Sequence, residues 1–277
     1  MNVEAALYFI QKHGGVIDKY RVNYLLNGSG DEEVPLKILR TLQNEDGGFP
    51  YNLEKGNLSS VNETCSLLNL ISELNLEASP ICKKALQFLL QTQQPDGSWD
   101  ENSKIKEYNP PFWNAPGKLE TKTWLTAAAT NNLILLGYRR SDQVKKAAKF
   151  LKENMDENGK IAGFRIATWI AISVFAQLED LEKETLRKSL QLFEEWLQKE
   201  KTDASFLNWY LECLLDAKIP QNHPLVQKCL KKLVKLQQRN GSWTSADGAK
   251  HTVSTTVTAL KMLRNYGFWT NQGEQNG

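Results

Sequence analysis

The sequence predicts an all-α chain, an (α/α)6 barrel of six helical hairpins, and three observations carry that expectation. The first is a recurring plan: apolar residues at helical spacing, then one or two glutamines, a polar turn, a glycine and an aromatic. It appears in "LKILRTLQNEDGGFPYN" from Leu36, "ALQFLLQTQQPDGSWDEN" from Ala85 and "LKKLVKLQQRNGSWTSADG" from Leu230. Recurrence on this scale marks a repeat architecture. The second is that each copy leads into another helical segment, and three of these align on Thr64, Thr126 and Thr256. The third is a contrast in charge: first segments carry lysines on one face and aliphatics on the other, whereas second segments are nearly uncharged.

Taken in order, "ALYFIQKHGGVIDKYRVNYLLNG" reads as a shortened first pair. The Leu36 helix joins "TCSLLNLISELN" as the second pair, and "CKKALQFLLQTQQ" joins "TAAATNNLILLG" as the third. Degenerate copies of the plan, "AAKFLKENMDENGKIAGF" and "SLQLFEEWLQKEKTDASF", open the fourth and fifth pairs, completed by "RIATWIAISVFAQLE" and "DASFLNWYLECLLDA". The sixth pairs "VQKCLKKLVKLQQ" with "TVTALKMLRNYG". Outer charged helices alternating with inner apolar ones enclose a central cavity, and no strand is expected. A single domain over residues 1–270 with a flexible tail over 271–277 accounts for the length.

The plan makes physical sense at a chain reversal. Glycine allows the tight turn, a glutamine amide can tie the open backbone groups at a helix end, and the aromatic packs back between pairs. Asp46 and Asp96 in these turns are turn formers rather than active-site acids.

Composition narrows the function classes. Hydrophobic residues at 41% and charged residues at 24% suit a globular chain, and a net charge of +2 without a basic run predicts no nucleic-acid partner. "MNVEAALYFIQKHGG" has the pattern of neither a signal peptide nor a spanning helix, so a cytoplasmic location is expected. Cys65, Cys82, Cys213 and Cys229 are far apart and read as reduced, partly buried thiols; with three histidines, no local metal spacing appears, and neither metal nor cofactor is predicted.

Gln91, Gln94, Gly97 and Trp99, with Gln43, Gly47 and Phe49 and with Gln237, Gly241 and Trp243, resemble the glutamine-tryptophan motifs of squalene-hopene and oxidosqualene cyclases. That superfamily also includes the β subunits of protein prenyltransferases. The resemblance covers the whole chain as a repeat pattern and implies the toroid. For chemistry it implies an isoprenoid-handling enzyme of the class II terpene cyclase kind, acting on a small hydrophobic or prenyl-diphosphate-like ligand, with peripheral membrane association or a partner domain as further implications. Such cyclases place an Asp-x-Asp-Asp run just before an inner-helix threonine. Here Ser60-Val61-Asn62-Glu63, Lys122-Thr123-Trp124-Leu125 and Thr252-Val253-Ser254-Thr255 hold those places, and none carries the run. Asn62-Glu63 comes nearest. A second implication is a zinc transferase using Glu63, Cys65 and His251; a third is a toroid that only binds a hydrophobic ligand or a partner.

Candidate site residues follow from the inner-helix starts, which converge at the end where the glycine turns lie. Glu63 is the candidate acid or base and Asp203 a second carboxylate, with capping as its alternative role. Asn62, Arg165 and His251 stand close to helix starts, where unpaired N–H groups favour anions. Trp124, Trp169, Trp209 and Tyr210 lie on inner helices and either line an apolar pocket or fill the core. Asn131, Asn132, Asn208 and Glu212 interrupt the same helices and, facing inward, would need a ligand or water. Tyr108 and Trp113 sit in a long insertion, "KIKEYNPPFWNAPGK", which folds either as a lid over the mouth or as packed surface.

Overall fold

The computed structural model describes residues 1–178, 183–199 and 202–269. Among these, twelve α-helices follow one another in six pairs. The pairs are α1 (Val3–His13) with α2 (Val16–Asn27), α3 (Glu33–Leu42) with α4 (Val61–Glu73), and α5 (Pro80–Thr92) with α6 (Leu119–Leu133). They continue with α7 (Asp142–Glu153) and α8 (Arg165–Leu178), α9 (Lys183–Lys199) and α10 (Ala204–Asp216), and α11 (Pro224–Lys235) and α12 (Thr252–Asn265). The expectation of no strand needs one correction. Phe49–Pro50 (β1) pairs antiparallel with Ser59–Ser60 (β2), because the turn after α3 runs out and back before α4 begins. The expected tail, 271–277, lies outside the described residues.

The chain forms two compact units, one of Met1–Asp31 with Glu194–Gly277 and one of Glu32–Phe193. In the second unit α6 packs between α4 and α8, and twelve of its side chains are buried, which explains why its sequence carries almost no charge. In the first unit α12 packs between α10 and α2, and also on α1, so the last pair returns to the first.

The recurring motif supplies the joints. Gln43 Nε2 donates to Gly47 O of its own turn at 2.9 Å and to Ile81 O of the next outer helix at 2.9 Å. Gln93 does the same to Gly97 O at 3.0 Å and Gln143 O at 2.9 Å. Gln237 donates to Gly241 O at 3.1 Å and to Asn2 O at 2.7 Å, while its Oε1 accepts from Asn2 N at 2.7 Å. The joint between last and first pair is therefore of the same kind as the others. In the third pair the tie is made by Gln93, not by Gln91 or Gln94; Gln94 Oε1 instead accepts from Lys122 Nζ at 2.8 Å.

The anchor threonines have a defined task. Thr64, Thr126 and Thr256 Oγ1 accept from the backbone N–H of Phe49 at 3.0 Å, Trp99 at 2.9 Å and Trp243 at 3.0 Å. The degenerate fourth copy keeps the bond, with Ile161 N–H donating to Thr168 at 3.0 Å. Trp99 and Trp243 are fully buried, and each indole N–H donates to a carbonyl of the preceding outer helix, Leu89 O at 2.8 Å and Leu233 O at 2.7 Å. Asp46 and Asp96 act as turn formers, each accepting from the backbone N–H two residues on at 3.0 Å. Gly97 has φ +88, and a Cβ there would stand 2.6 Å from the Lys146 carbonyl, so only glycine lets the turn meet the next helix.

Polar residues of the inner helices tie neighbours together. Asn132 Nδ2 donates to Cys65 O at 3.3 Å, Gln177 Nε2 to Asn131 Oδ1 at 2.9 Å, and Asn208 Nδ2 to Thr255 O at 3.0 Å. Glu212 pairs with Lys261 at 2.9 Å. All four cysteines are buried and unbridged.

Replacing Trp99 by alanine empties a large core site and should cost about 3–5 kcal/mol in urea unfolding. Gln237→Ala, which removes three hydrogen bonds, two of them to the Asn2 backbone, should cost about 1–3 kcal/mol. Wild-type midpoints in both variants would remove the motif from its structural role.

Candidate functional site

Chemically distinctive groups of the second unit gather at the start of α4. Ser60 caps this helix, its hydroxyl accepting from Glu63 N at 3.2 Å. A carboxylate from the next pair's turn completes the cap. Glu101 Oε1 accepts from Ser60 Oγ at 2.7 Å and Asn62 N at 3.0 Å, and its Oε2 from Val61 N at 2.9 Å. It is 4% exposed. Burial pushes its carboxyl above the ordinary glutamate range and outweighs the hydrogen bonds that favour its charge. Asn114, fully buried, lends its amide dipole to the same carboxylate without completing a well-formed hydrogen bond.

Glu63 stands in the first turn of α4, half-buried, with Oε1 accepting from Asn52 N at 3.2 Å. Burial raises its carboxyl above the ordinary range, while the Asn52 amide and the Asn62 side chain pull the other way. The Asn52 amide is presented by a strained hairpin, since Asn52 and Leu53 both have φ 56. For Leu53, left-handed backbone costs about 1 kcal/mol or more.

Aromatic rings adjoin these carboxylates. Tyr51, 3% exposed, stacks on Tyr108 with centroids 5.4 Å apart, and Tyr108 Oη accepts from Leu58 N at 3.2 Å. Burial raises the Tyr51 phenol, and the charges of Glu63, Glu101 and Glu54 raise it further, so it remains a neutral donor. The insertion is fastened across the inner-helix starts. Trp113 meets Trp124 edge-on at 6.1 Å and its carbonyl accepts from Trp124 Nε1 at 2.9 Å; exposed Phe112 meets Phe164, just before α8, at 5.8 Å. Asp100 Oδ2 accepts from Gly117 N at 2.8 Å and holds the far end of the loop.

Other expected residues take separate places. Arg165 opens α8, half-buried, and Trp169 is buried against Phe193 with centroids 6.1 Å apart. In the first unit Asp203 caps α10, accepting from Phe206 N at 3.1 Å and from Ser205 Oγ. Tyr210 is fully buried, whereas its neighbour Trp209 is 51% exposed. His251 ends a short 3-10 turn before α12 and is exposed. Sequence reasoning missed Glu101 and Tyr51. A signal existed for Glu101: the residue two places after the motif aromatic is Tyr51 in the second pair, Ser245 in the sixth, and an acid only here.

The zinc donor set is not assembled. Among the described residues no three His, Cys, Asp or Glu side chains gather to hold a metal, and burial keeps the Cys65 thiol protonated. No helix among them is long and apolar enough to cross a membrane.

Glu63 and Glu101 both bind a proton more readily folded than unfolded, so each adds stability that is full below the ordinary glutamate value of 4.5 and is lost as pH rises through the folded value. Glu63→Gln should remove its part of that loss. The variant's unfolding free energy should fall less than wild type's between about pH 4.5 and pH 8; parallel curves would contradict the burial of Glu63.

Comparison with known proteins fits the repeat structure. No curated protein matches the chain in sequence. The type II terpene cyclase MstE from Scytonema superposes with a TM-score of 0.66 at 14% identity, over 95% of this chain and 96% of that one. An MstE variant solved with geranylgeranyl dihydroxybenzoate as substrate gives 0.63 at 14% identity, over 91% and 86%. A protein from Actinoplanes gives 0.57 at 16% identity, over 90% and 89%. At these identities the likeness is one of fold. The prenyltransferase alpha-alpha toroid domain matches residues 6–167, more than half of the chain. With its all-α pairs, the chain belongs to the prenyltransferase α/α toroid family.

Proposed function

We propose that the chain is an isoprenoid-handling enzyme of the class II terpene cyclase type, one toroidal domain over residues 1–270, with Glu63 as its acid. The observation that carries this reading is a partly buried carboxyl with a raised proton affinity, one residue before an anchor threonine and beside the Tyr51–Tyr108 stack. A general acid works best when its proton is held near the working pH, and burial moves Glu63 that way. The prenylated aromatic bound by MstE suggests the substrate class.

The proposed step is an isomerisation. The Glu63 O–H bond breaks as a C–H bond forms at a terminal prenyl alkene, leaving a tertiary cation. The next alkene closes a ring onto that carbon, and loss of a proton from the final cation ends the reaction with Glu63 reprotonated from solvent. Tyr108, Trp113 and Trp124 offer rings to the cation, and Asn62 steadies the Glu63 carboxyl. Arg165 and Trp169 support the binding region from α8. In the first unit Trp209 offers an exposed face to a hydrophobic ligand, and Asp203 as a second carboxylate, Tyr210 and His251, on α10 and at the start of α12, are that unit's own candidates.

The test is incubation with geranylgeranyl dihydroxybenzoate in D2O, followed by mass spectrometry. Wild type should give an isomeric product carrying one deuterium on carbon, and Glu63→Gln should lose about 100-fold or more in kcat with its melting temperature retained. Equal turnover by Glu63→Gln would overturn the assignment of the acid. Binding without conversion would make the chain a carrier of hydrophobic ligands.

A further inference from the structure

The positive end of α4 is spent on a single carboxylate. Of the amides in its first turn, Val61 N donates to Glu101 Oε2 at 2.9 Å and Asn62 N to Oε1 at 3.0 Å. Glu63 N donates at 3.2 Å to Ser60 Oγ, whose hydroxyl in turn donates to Glu101 Oε1 at 2.7 Å. Two amides and one hydroxyl thus converge on Glu101, and the third amide is tied to that hydroxyl. A carboxyl in the first turn of a free helix would draw on those same N–H groups and on the dipole behind them, and would be held as the anion. Glu63 occupies such a place, yet its Oε1 accepts from the Asn52 amide of the preceding hairpin rather than from an N–H of its own helix; that amide and the Asn62 side chain are the groups that favour its charge, with no basic side chain among them.

We propose that Glu101 is a positioning residue for Glu63: by reserving the positive end of α4 for itself, it keeps Glu63 available as a proton donor and fixes the turn that carries it. This rests on the reading of Glu63 as the acid. The other titratable groups at this corner are Tyr51 and Glu54 of the hairpin before α4, Cys65 of α4 itself, Tyr108 of the insertion and Asp100 beside Glu101, and none of these supplies a positive charge. Glu101 is well placed for the task because its own surroundings are rigid. Trp99, two residues earlier, is locked in the core, and Asp100 is pinned between the Glu101 and Gly117 amides at 2.9 Å and 2.8 Å. Asn114 of the insertion is buried beside the same carboxylate, so loop and helix start adjoin one buried group.

Two variants test this, Glu101→Ala and Glu101→Gln, the second keeping an acceptor oxygen while removing the charge. In protein labelled with 13C at glutamate carboxyls, the Glu63 resonance, identified by its absence in Glu63→Gln, should titrate about one pH unit or more lower in either variant than in wild type. The alkaline limb of the kcat profile should move down with it, with KM changing less than about twofold. Rescue of both readings by Glu101→Asp would support the charge as the agent. If Glu101→Ala fails to fold, Glu101→Gln decides. An unmoved Glu63 midpoint in a folded variant overturns the inference. A moved midpoint in an enzyme whose turnover survives Glu63→Gln would instead fail the catalytic reading, because the titration does not depend on turnover.

Discussion

The structure depends on how a helix pair meets its successor, and where the second, third and sixth pairs meet theirs, a glutamine amide makes the joint. Packing two amphipathic helices is non-directional, and a stack of such pairs would slide or splay without a fixed joint. The amides of Gln43, Gln93 and Gln237 each reach two carbonyls, one in their own turn and one in the following outer helix. The inner helix is set by a second bond, from the N–H of the motif aromatic to the anchor threonine. Registration of outer and inner layers thus comes from one short loop, leaving inner-helix starts free to vary.

That freedom places the candidate site. Because Thr64 Oγ1 is committed to Phe49 and to the Ser60 carbonyl, the side chains of Asn62 and Glu63 just ahead of it take no part in the motif joint and can hold chemistry. In α4, α6, α8 and α12 the anchor bond lies inside the helix, and the residues at the helix start are left to vary. The strained Asn52–Leu53 backbone and the buried Glu101 are both found there, and both act on Glu63 or its turn.

The six pairs were legible because helical periodicity, turn glycines and the contrast between lysine-faced and uncharged helices are local properties of sequence. The anchor threonines aligned because each performs the same hydrogen bond. Details depending on which side chain turns toward which carbonyl were not legible: Gln93 and not Gln91 makes the third joint, since only its position brings the amide to both Gly97 O and Gln143 O. The inner asparagines looked like cavity groups and are interhelical ties, a distinction that needs the neighbouring helix. Glu101 was overlooked because its partners lie about forty residues upstream, in a pair already complete by pattern. Trp169 and Tyr210 illustrate the same limit, being buried where helical position alone also allowed exposure.

The joint between Gln237 and Asn2 has a consequence for biosynthesis. Other motif joints connect residues 38 and 50 positions apart, whereas this one connects residues 235 positions apart. On a ribosome α1 and α2 emerge long before α12, the helix that packs against them both. Throughout elongation α1 and α2 must therefore wait with an apolar face uncovered, while the second and third pairs, whose joints are local, can already assemble. The toroid is thus most vulnerable before its sixth pair emerges, at the first of its six pairs.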